Sequence, residues 1–262
     1  MNIYLREIKR NYVNFIIWFS ISALMIIYVI FMFPSFKSDI TELLKLKFPV
    51  QLQQAFGMDK LDFSNIIGFL GLMIPYIIML GGIFSGMLFG TVVSKEENDG
   101  TIEFLFSKPI TRFKIAFSKL MAAITYIAVY TVLVFFAALM SLKAINVTYS
   151  MKTFWLLALS VFLALLLFGF LCFFVSMLVY RTKTIVPISV GIVAGTYILK
   201  AVSGISTKSA FLKYLSPYEY FDSSQIIQNN SLRIPYLIIS VAIMFICIIL
   251  GLTIYNTKDF KA

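Results

Sequence analysis

Long apolar segments alternate with short polar ones along almost the whole chain. Six of these segments lack any Asp, Glu, Lys, Arg or His, and they cover residues 14–33, 66–93, 120–140, 153–179, 184–199 and 234–255. A helix needs about 20 apolar residues to cross the hydrocarbon core of a bilayer, and only helices or closed barrels satisfy their backbone hydrogen bonds there. The pattern therefore predicts six membrane-spanning helices. The fifth is expected to continue to residue 203, with Lys200 reaching the membrane interface.

The composition supports the same class of protein. Of the 262 residues, 60% are hydrophobic and only 13% are charged, whereas about a quarter of the residues in a typical soluble domain are charged. The mean hydropathy is +0.93. No internal repeat or change of composition divides the chain. We therefore expect an all-α polytopic membrane protein with a single transmembrane domain over residues 1–262.

The basic residues between the predicted spans indicate how the chain is oriented. With both termini in the cytoplasm, the inner segments hold 12 Lys and Arg in 50 residues, and the outer segments hold 10 in 78. This difference agrees with the positive-inside rule, so we predict a multi-pass protein with cytoplasmic termini. The net charge of +10 is concentrated at the membrane edges, where anionic lipid headgroups, and not nucleic acids, are the natural partners.

Three polar segments are predicted to lie along the membrane surface. In residues 1–12, apolar and basic side chains fall on different helical faces, which favours a short N-terminal interface helix; a plain basic flank that sets the topology is the alternative. Residues 40–57 are predicted as an amphipathic interface helix that ends at Gly57. Residues 211–222 are rich in aromatic side chains and are expected to lie along the outer leaflet or dip into it, and not to project into water.

The chemistry that the chain lacks restricts its function. The six spans contain no ionisable Asp, Glu, Lys, Arg or His, although ion-driven carriers usually place such a residue inside the membrane. The chain has no histidine, and Cys172 and Cys247 lie within separate spans, so we expect buried free cysteines and no metal site. No phosphate-binding G-x-x-x-x-G-K-[ST] motif occurs. If the chain transports a substrate, another subunit must supply the energy; an ion-coupled secondary carrier is the alternative.

A membrane-embedded enzyme is a second alternative. The pair Glu96 and Glu97 is similar to the start of the E-E-x-x-x-R motif of intramembrane proteases, which requires an arginine at position 101. Thr101 occupies that position, and no histidine exists to hold a metal or activate water. We therefore predict a non-catalytic subunit.

The segment between the second and third spans combines charged residues with turn-forming ones. Ser94 and Glu97 have the spacing of a capping box at the start of a helix. Gly100 suits the left-handed backbone conformation that commonly ends a helix. Residues 102, 105 and 106 then share one apolar face, and Pro109 suits the first turn of the next helix. The pattern predicts a short amphipathic helix between two breaks. Such a helix would fit a groove on a soluble partner.

This segment resembles the signature loop of the permease subunits of type 2 ATP-binding-cassette (ABC) exporters. That loop has an acidic pair followed in order by Gly-Thr, Glu, an apolar pair, Ser, Pro and Arg, and residues 96–112 follow the same order. Phe106 is a departure, because an aliphatic residue is more usual there. The resemblance covers the whole chain: an interface helix, six spans, the signature loop after the second span and an aromatic Ser216-Pro217-Tyr218 region before the sixth.

The resemblance implies how the chain works. In that family two permease subunits form a twelve-helix core, and two cytoplasmic ATPases drive it through this loop, which acts as a coupling helix. The second subunit would be another copy of the chain or a related permease; ATP and Mg²⁺ would bind to the ATPase, and no cofactor to this chain. The residues carried over to coupling are Glu96, Glu97, Asp99, Gly100, Thr101, Glu103, Leu105, Ser107, Pro109 and Arg112. The alternative is a loop that only caps two membrane helices.

Glycines at four-residue spacing mark places where helices can approach closely. Gly82, Gly86 and Gly90 form two G-x-x-x-G steps in the second span, and we expect them to pack within one subunit. Gly191 and Gly195 form another step in the fifth span. Because the subunits of the resembled family meet through their first and fifth helices, Gly191 and Gly195 are predicted at the dimer interface.

The sequence predicts the substrate only by its class. Spans that are rich in Phe, Met, Ser, Thr and Tyr but lack charge favour an apolar or amphipathic molecule that enters from the inner leaflet, such as a lipid or an amphipathic peptide. The Lys-, Ile- and Asn-rich chain is similar to permeases of Gram-positive bacteria that export bacitracin, lantibiotics or phenol-soluble modulins. That resemblance implies a peptide exporter in a bacterial cell membrane.

Overall fold

Six long helices make up most of the described chain. The computed structural model describes residues 3–36, 49, 53, 57–98, 111–179, 182–205 and 207–257. Within these ranges no strand occurs, and six helices are long and apolar enough to cross a membrane. The predicted all-α fold with six spans is therefore confirmed. The six helices are α1 (Ile3–Phe36), α2 (Ile66–Asn98), α3 (Arg112–Ala144), α4 (Met151–Leu178), α5 (Thr182–Ile205) and α6 (Ile234–Thr257).

Several helices extend beyond the predicted spans into polar sequence. Helices α2 and α6 begin at the predicted residues, 66 and 234, but α3 begins at Arg112 and not at residue 120. An apolar segment marks only the part of a helix that lies in hydrocarbon, whereas the backbone hydrogen bonds continue past the bilayer edge. For the same reason α2 continues through Ser94 to Asn98. The helix start predicted at Ser94 is therefore wrong.

The N-terminal segment does not form a helix of its own. Residues 3–36 make one continuous helix, so the prediction of a separate short interface helix in residues 1–12 is wrong. A helix commonly breaks at glycine or proline, and the first such residue in α1 is Pro34, close to its C-terminal end. The polar residues before Asn14 therefore extend the helix of the first span.

Helix α2 lies at the centre of the bundle, where it packs against α1, α3, α4 and α5. A Cβ atom added at Gly86 would lie 2.9 Å from Cys172 Sγ on α4 and 2.9 Å from Ser189 Cβ on α5. These distances are shorter than van der Waals contacts, so the helices can approach this closely only at a glycine. Gly82 and Gly90 face the same two helices. The expected packing of the second-span glycines within one subunit is confirmed.

Hydroxyl groups inside the bundle bond across helix contacts. Ser85 Oγ of α2 donates to the Leu165 carbonyl of α4 at 2.7 Å, and Ser22 Oγ of α1 lies 2.5 Å from the Tyr130 hydroxyl oxygen of α3. Hydrocarbon offers these groups no alternative partner. Each bond therefore adds a directional contact between helices that otherwise meet through apolar surfaces.

The segment before α6 folds back onto the bundle. Ser216 Oγ donates to the Thr196 carbonyl of α5 at 2.8 Å, and Ser223 Oγ donates to the Gly71 carbonyl of α2 at 2.6 Å. The segment does not project away from the bundle, in agreement with the sequence, while its placement in a lipid leaflet stays a prediction. It contains three short helices: a 3₁₀ helix (Thr207–Leu215) and two α-helices (Pro217–Tyr220 and Ser223–Asn229).

The fifth span continues past residue 203, as predicted, and ends at Ile205. Lys200 of this helix contacts the folded-back segment, while its place at the membrane interface stays a prediction. Its Nζ lies 2.5 Å from Asp222 Oδ1 and 3.3 Å from the Tyr218 carbonyl oxygen, and the Asp222 residue is only 8% exposed. Burial alone would raise the pKa of Asp222, but the charge of Lys200 and the hydrogen bonds from Lys200 and Ser224 outweigh it and lower the pKa below its ordinary value. This ion pair fastens the folded-back segment to the end of α5.

Two smaller expectations can be compared with the structure. Cys172 and Cys247 are buried and free, as predicted from their places within spans. Gly57 has a φ angle of +67°, a left-handed conformation that suits a glycine at the end of a helix. The amphipathic helix predicted before it falls on residues of which only 49 and 53 are described.

Replacing Gly86 by valine should destabilise the bundle. The added side chain would collide with α4 and α5, and overpacking of this kind costs about 1–3 kcal/mol. We expect a lower Tm for the detergent-solubilised Gly86→Val variant. Ala242→Val is the matched control, because Ala242 is exposed on α6 and is not part of the predicted dimer interface. Equal Tm values for the two variants would contradict the close packing of α2.

Replacing Asp222 by asparagine should also lower the Tm at neutral pH, because breaking a buried ion pair costs about 3 kcal/mol. The pKa of Asp222 is lowered from 3.8 in the folded chain, so the contribution of the pair is complete above that ordinary value and is lost as the pH falls through the lowered one. The Tm difference between the wild type and Asp222→Asn should therefore shrink in acid. Asp59→Asn, at an exposed aspartate, is the control, and a pH-independent difference would contradict the ion pair.

Candidate functional site

The predicted coupling loop connects α2 to α3. Glu96 and Glu97 lie in the last turn of α2, which ends at Asn98, and Arg112 is the first residue of α3. The structure thus brings the two ends of the signature to neighbouring helices. The other predicted residues lie outside the described part of the chain: Asp99, Gly100, Thr101, Glu103, Leu105, Ser107 and Pro109.

The start of α3 is capped and contacts the end of α6. Thr111 has an extended backbone, and its Oγ1 accepts a hydrogen bond from the Lys114 amide at 3.4 Å, which makes it the N-cap residue. The Arg112 guanidinium donates to the Asn256 carbonyl at 3.5 Å. This contact gives one residue of the predicted signature a described partner. It also places the end of α6 beside the loop.

A buried ionic cluster lies close to the loop, where α2 and α3 flank it. Lys119 of α3 has a side chain that is 1% exposed, and its Nζ donates to the Val92 carbonyl of α2 at 2.6 Å. The same Nζ lies 3.7 Å from Glu7 Oε1 of α1, and Glu7 also accepts hydrogen bonds from Arg10 at 2.5 Å and from Asn11 at 3.1 Å. Charges this deeply buried are rarely found without such partners. The cluster therefore joins three helices at one point.

Two tyrosines add further bonds between α1 and α3 at the same place. The Tyr126 hydroxyl of α3 donates to the Ile8 carbonyl of α1, and the Tyr4 hydroxyl of α1 donates to Thr125 Oγ1 of α3 at 3.1 Å. The N-terminal part of α1 thus rests on α3 through side chains on both helices. It lies at the same end of the bundle as the loop.

This cluster is the part of the site that the sequence prediction missed. Lys119 looks like the last residue of a basic flank, because its partners are 27 and 112 positions away. Glu7, Arg10 and Asn11 do carry a local signal, since residues at i, i+3 and i+4 share one helical face. An acidic residue among basic ones on that face points to an internal ion pair and not only to lipid headgroups.

A cleft opens between α1 and α5 over the loop-side half of α2. Its volume is about 210 Å³. Apolar side chains of α2 form most of its wall, while two asparagines of α1 and one threonine of α2 supply polar groups. The lining residues are Asn11, Asn14, Phe84, Met87, Leu88, Thr91 and Val186. The cleft thus offers an amphipathic surface at the loop end of the bundle.

Gly191 and Gly195 lie on an open face of α5. A Cβ added at either position would meet no atom within 4 Å, in contrast to the tightly packed glycines of α2. The outer faces of α1 and α5 also carry large exposed apolar side chains such as Leu24, Tyr28 and Ile198. In a membrane protein these faces meet lipid or another membrane protein. Their role in a dimer interface stays a prediction.

The six long apolar helices define a polytopic membrane protein. The sequence model for "ABC-2 family transporter protein" matches residues 1–260. The chain therefore belongs to the ABC-2 transporter family, as a membrane-spanning component of a transporter whose partner is an ABC ATPase. No curated protein sequence matches the chain closely enough to be counted as a relative.

Proposed function

We propose that the chain is the permease subunit of a type 2 ABC exporter and that residues 96–112 couple it to the ATPase. The observation that carries this proposal is the position of α2. This helix ends at the loop and packs against α1, α3, α4 and α5. A displacement of the loop by the ATPase is therefore passed to the core of the bundle, because close-packed helices cannot move independently. A loop that only capped two helices would need no such connection.

The proposed orientation places the loop, the N-terminal part of α1 and the end of α6 in or near the cytoplasm. Two contacts support this: Glu7 of α1 lies beside Lys119 at the loop end, and Asn256 of α6 accepts a hydrogen bond from Arg112. Both ends of the described chain thus lie on the same side as the loop. An ATPase needs cytoplasmic ATP, so this side faces the cytoplasm, and the membrane is a bacterial cell membrane by the resemblance noted above.

The proposed substrate is an apolar or amphipathic molecule, such as an amphipathic antimicrobial peptide or a lipid. The cleft between α1 and α5 supports this class. Its apolar wall includes Phe84 and Met87, and the amides of Asn11 and Asn14 supply polar groups at the same site. A ligand with one polar and one apolar part satisfies both surfaces. Among the described residues that line this cleft none carries a fixed charge, which disfavours a small ionic substrate.

The proposed assembly contains two permease copies and two ATPase subunits. The open faces of α1 and α5 support a second copy, because a Cβ added at Gly191 or Gly195 meets no atom of the described chain within 4 Å. Paired glycines allow two helices to approach closely across such an interface. The ATPase subunits would bind ATP and Mg²⁺.

The coupling role predicts specific losses when the loop is altered. Charge reversal in Glu97→Lys should remove a contact worth about 1–3 kcal/mol, which corresponds to roughly 5- to 150-fold in ATPase binding. Gly100→Val should also impair coupling, because a β-branched residue is strained in the predicted left-handed conformation. The measurements are pull-down of the co-expressed ATPase and ATP hydrolysis per complex in lipid nanodiscs. The chain purified alone should hydrolyse no ATP.

Two variants serve as controls for these losses. Asp59→Lys makes the same charge reversal at an exposed aspartate in the segment before α2, and Gly100→Asn keeps a residue that tolerates the left-handed conformation. Both should behave like the wild type. Full ATPase binding and hydrolysis in Glu97→Lys and Gly100→Val together would reduce the loop to a helix cap and overturn the proposal. Robust ATP hydrolysis by the purified chain would also overturn it.

The dimer interface can be mapped by crosslinking. In a background with Cys172→Ala and Cys247→Ala, a cysteine at position 191 should crosslink two copies, since the two α5 helices are expected to approach there. A cysteine replacing Val132, which is 63% exposed on α3, is the control and should not crosslink. Gly191→Leu should reduce self-association without preventing membrane insertion. Crosslinks at position 132 but not at 191 would place the interface elsewhere.

A further inference from the structure

Lys119 occupies a special position relative to the loop. Its acceptor, the Val92 carbonyl, lies six residues before the end of α2 at Asn98, and Lys119 itself lies seven residues after the start of α3 at Arg112. Each distance is about two helical turns. The 2.6 Å contact between Lys119 Nζ and the Val92 oxygen therefore joins the two helices at matching distances from the loop.

The same ammonium group also contacts a third helix, α1. Glu7 lies 3.7 Å from Lys119 Nζ, and the bond from Tyr126 to the Ile8 carbonyl fixes the adjacent turn of α1. The Lys119 side chain is 1% exposed and that of Glu7 is 8% exposed, so water competes little for these contacts. One buried cation thus has partners on both other helices at the loop end.

Stability alone does not account well for a charge in this place. Removing an ammonium group from water costs several kcal/mol, and a well-packed apolar residue is often as stabilising as a buried ion pair. The lysine instead adds a geometric requirement: its hydrogen bond and its ion pair form only when all three helices are correctly placed. Such a requirement suits a point where helices have to move together.

We propose that Lys119 is a positioning residue that makes α1, α2 and α3 move as one unit when the ATPase displaces the loop. The proposal rests on the proposed coupling function of residues 96–112. When Lys119 is replaced by an apolar residue, α2 and α3 can still respond to the ATPase, but the ionic link from the Val92 carbonyl of α2 to Glu7 of α1 is lost. The N-terminal part of α1 then stays bonded to α3 only through the two tyrosines, and most of the displacement is no longer passed to it. Transport is then uncoupled although the complex assembles.

The test follows the N-terminal part of α1 directly. A single cysteine replaces Leu5, which is 53% exposed, in the background with Cys172→Ala and Cys247→Ala, and carries an environment-sensitive fluorophore. The complex with the co-expressed ATPase is placed in nanodiscs, and MgATP with vanadate is added to trap the nucleotide-bound state. We expect a fluorescence shift that is at least fivefold smaller in Lys119→Met than in the unchanged complex, with equal ATPase binding. Lys119→Arg, which keeps the charge, should retain at least half of the shift.

Lys143→Met is the matched control, because Lys143 is exposed at the other end of α3, and it should leave the shift unchanged. A merely structural role for Lys119 would lower the yield and the Tm of the complex and leave the shift per complex unchanged, which would overturn the proposal.

If Lys119→Met does not accumulate, the double variant Glu7→Gln/Lys119→Met removes both charges and is read in the same way. A full shift in Lys119→Met overturns only the role of Lys119. Absence of a shift, or of bound ATPase, in the unchanged complex overturns the coupling function as well.

Discussion

The close approach of α2 to α4 and α5 is the contact on which the rest of the fold depends. Lipid tails are as apolar as the helices, so the hydrophobic effect does not drive helix association inside a bilayer, and packing has to do so. Gly86 removes the side chain that would keep α2 away from Cys172 and Ser189. Gly169 does the same from α4, where an added Cβ would lie 2.6 Å from Ser85 Oγ. With α2 placed by these contacts, α1 and α3 pack on its remaining sides, and the end of α2 determines where the loop begins.

Polar interactions are distributed according to what a bilayer tolerates. Two of the ionic groups among the described residues lie at opposite ends of the bundle: Glu7, Arg10 and Lys119 at the loop end, and Lys200 with Asp222 at the other end. Between them the described helix contacts use hydroxyls, which cost far less to bury than charges. Ionic contacts thus fix how the helices are arranged at each end, while the arrangement in the middle of the bundle depends on how closely the helix surfaces fit together.

The sequence predicts the parts of this structure that depend on local pattern. Six spans follow from apolar segments alone, and the packing of Gly86 follows from its spacing. The end of α2 and the start of α3 are missed, because Ser94 and Arg112 belong to helices that continue past the apolar segment. The partner of Lys200 is missed for another reason. Its ion pair with Asp222 depends on a segment that folds back onto α5, and no local pattern encodes that contact.

The two sequence signals at the loop end differ in kind. The signature from Glu96 to Arg112 is an ordered set of residue types, and it points to the family even though most of it lies outside the described residues. The Glu7 and Lys119 cluster has no such order, and it becomes visible only when α1 and α3 are brought together. One signal concerns the proposed contact of the loop with the ATPase, and the other concerns how the helices next to the loop are held. A coupling function requires both of them, because a loop with a binding surface but no rigid support cannot pass on a displacement.

The position of α2 explains why the loop follows the second span and not another connection between spans. Helices α1, α5 and α6 expose most of their surface, whereas α2 and α4 are mostly buried. A displacement applied to a peripheral helix can be absorbed by lipid, since the bilayer yields around it. A displacement applied at Asn98 meets α4 and α5 along contacts that leave no free space at Gly86. The loop is therefore attached to the helix that cannot move without moving its neighbours, and this is the mechanical property that a coupling element needs.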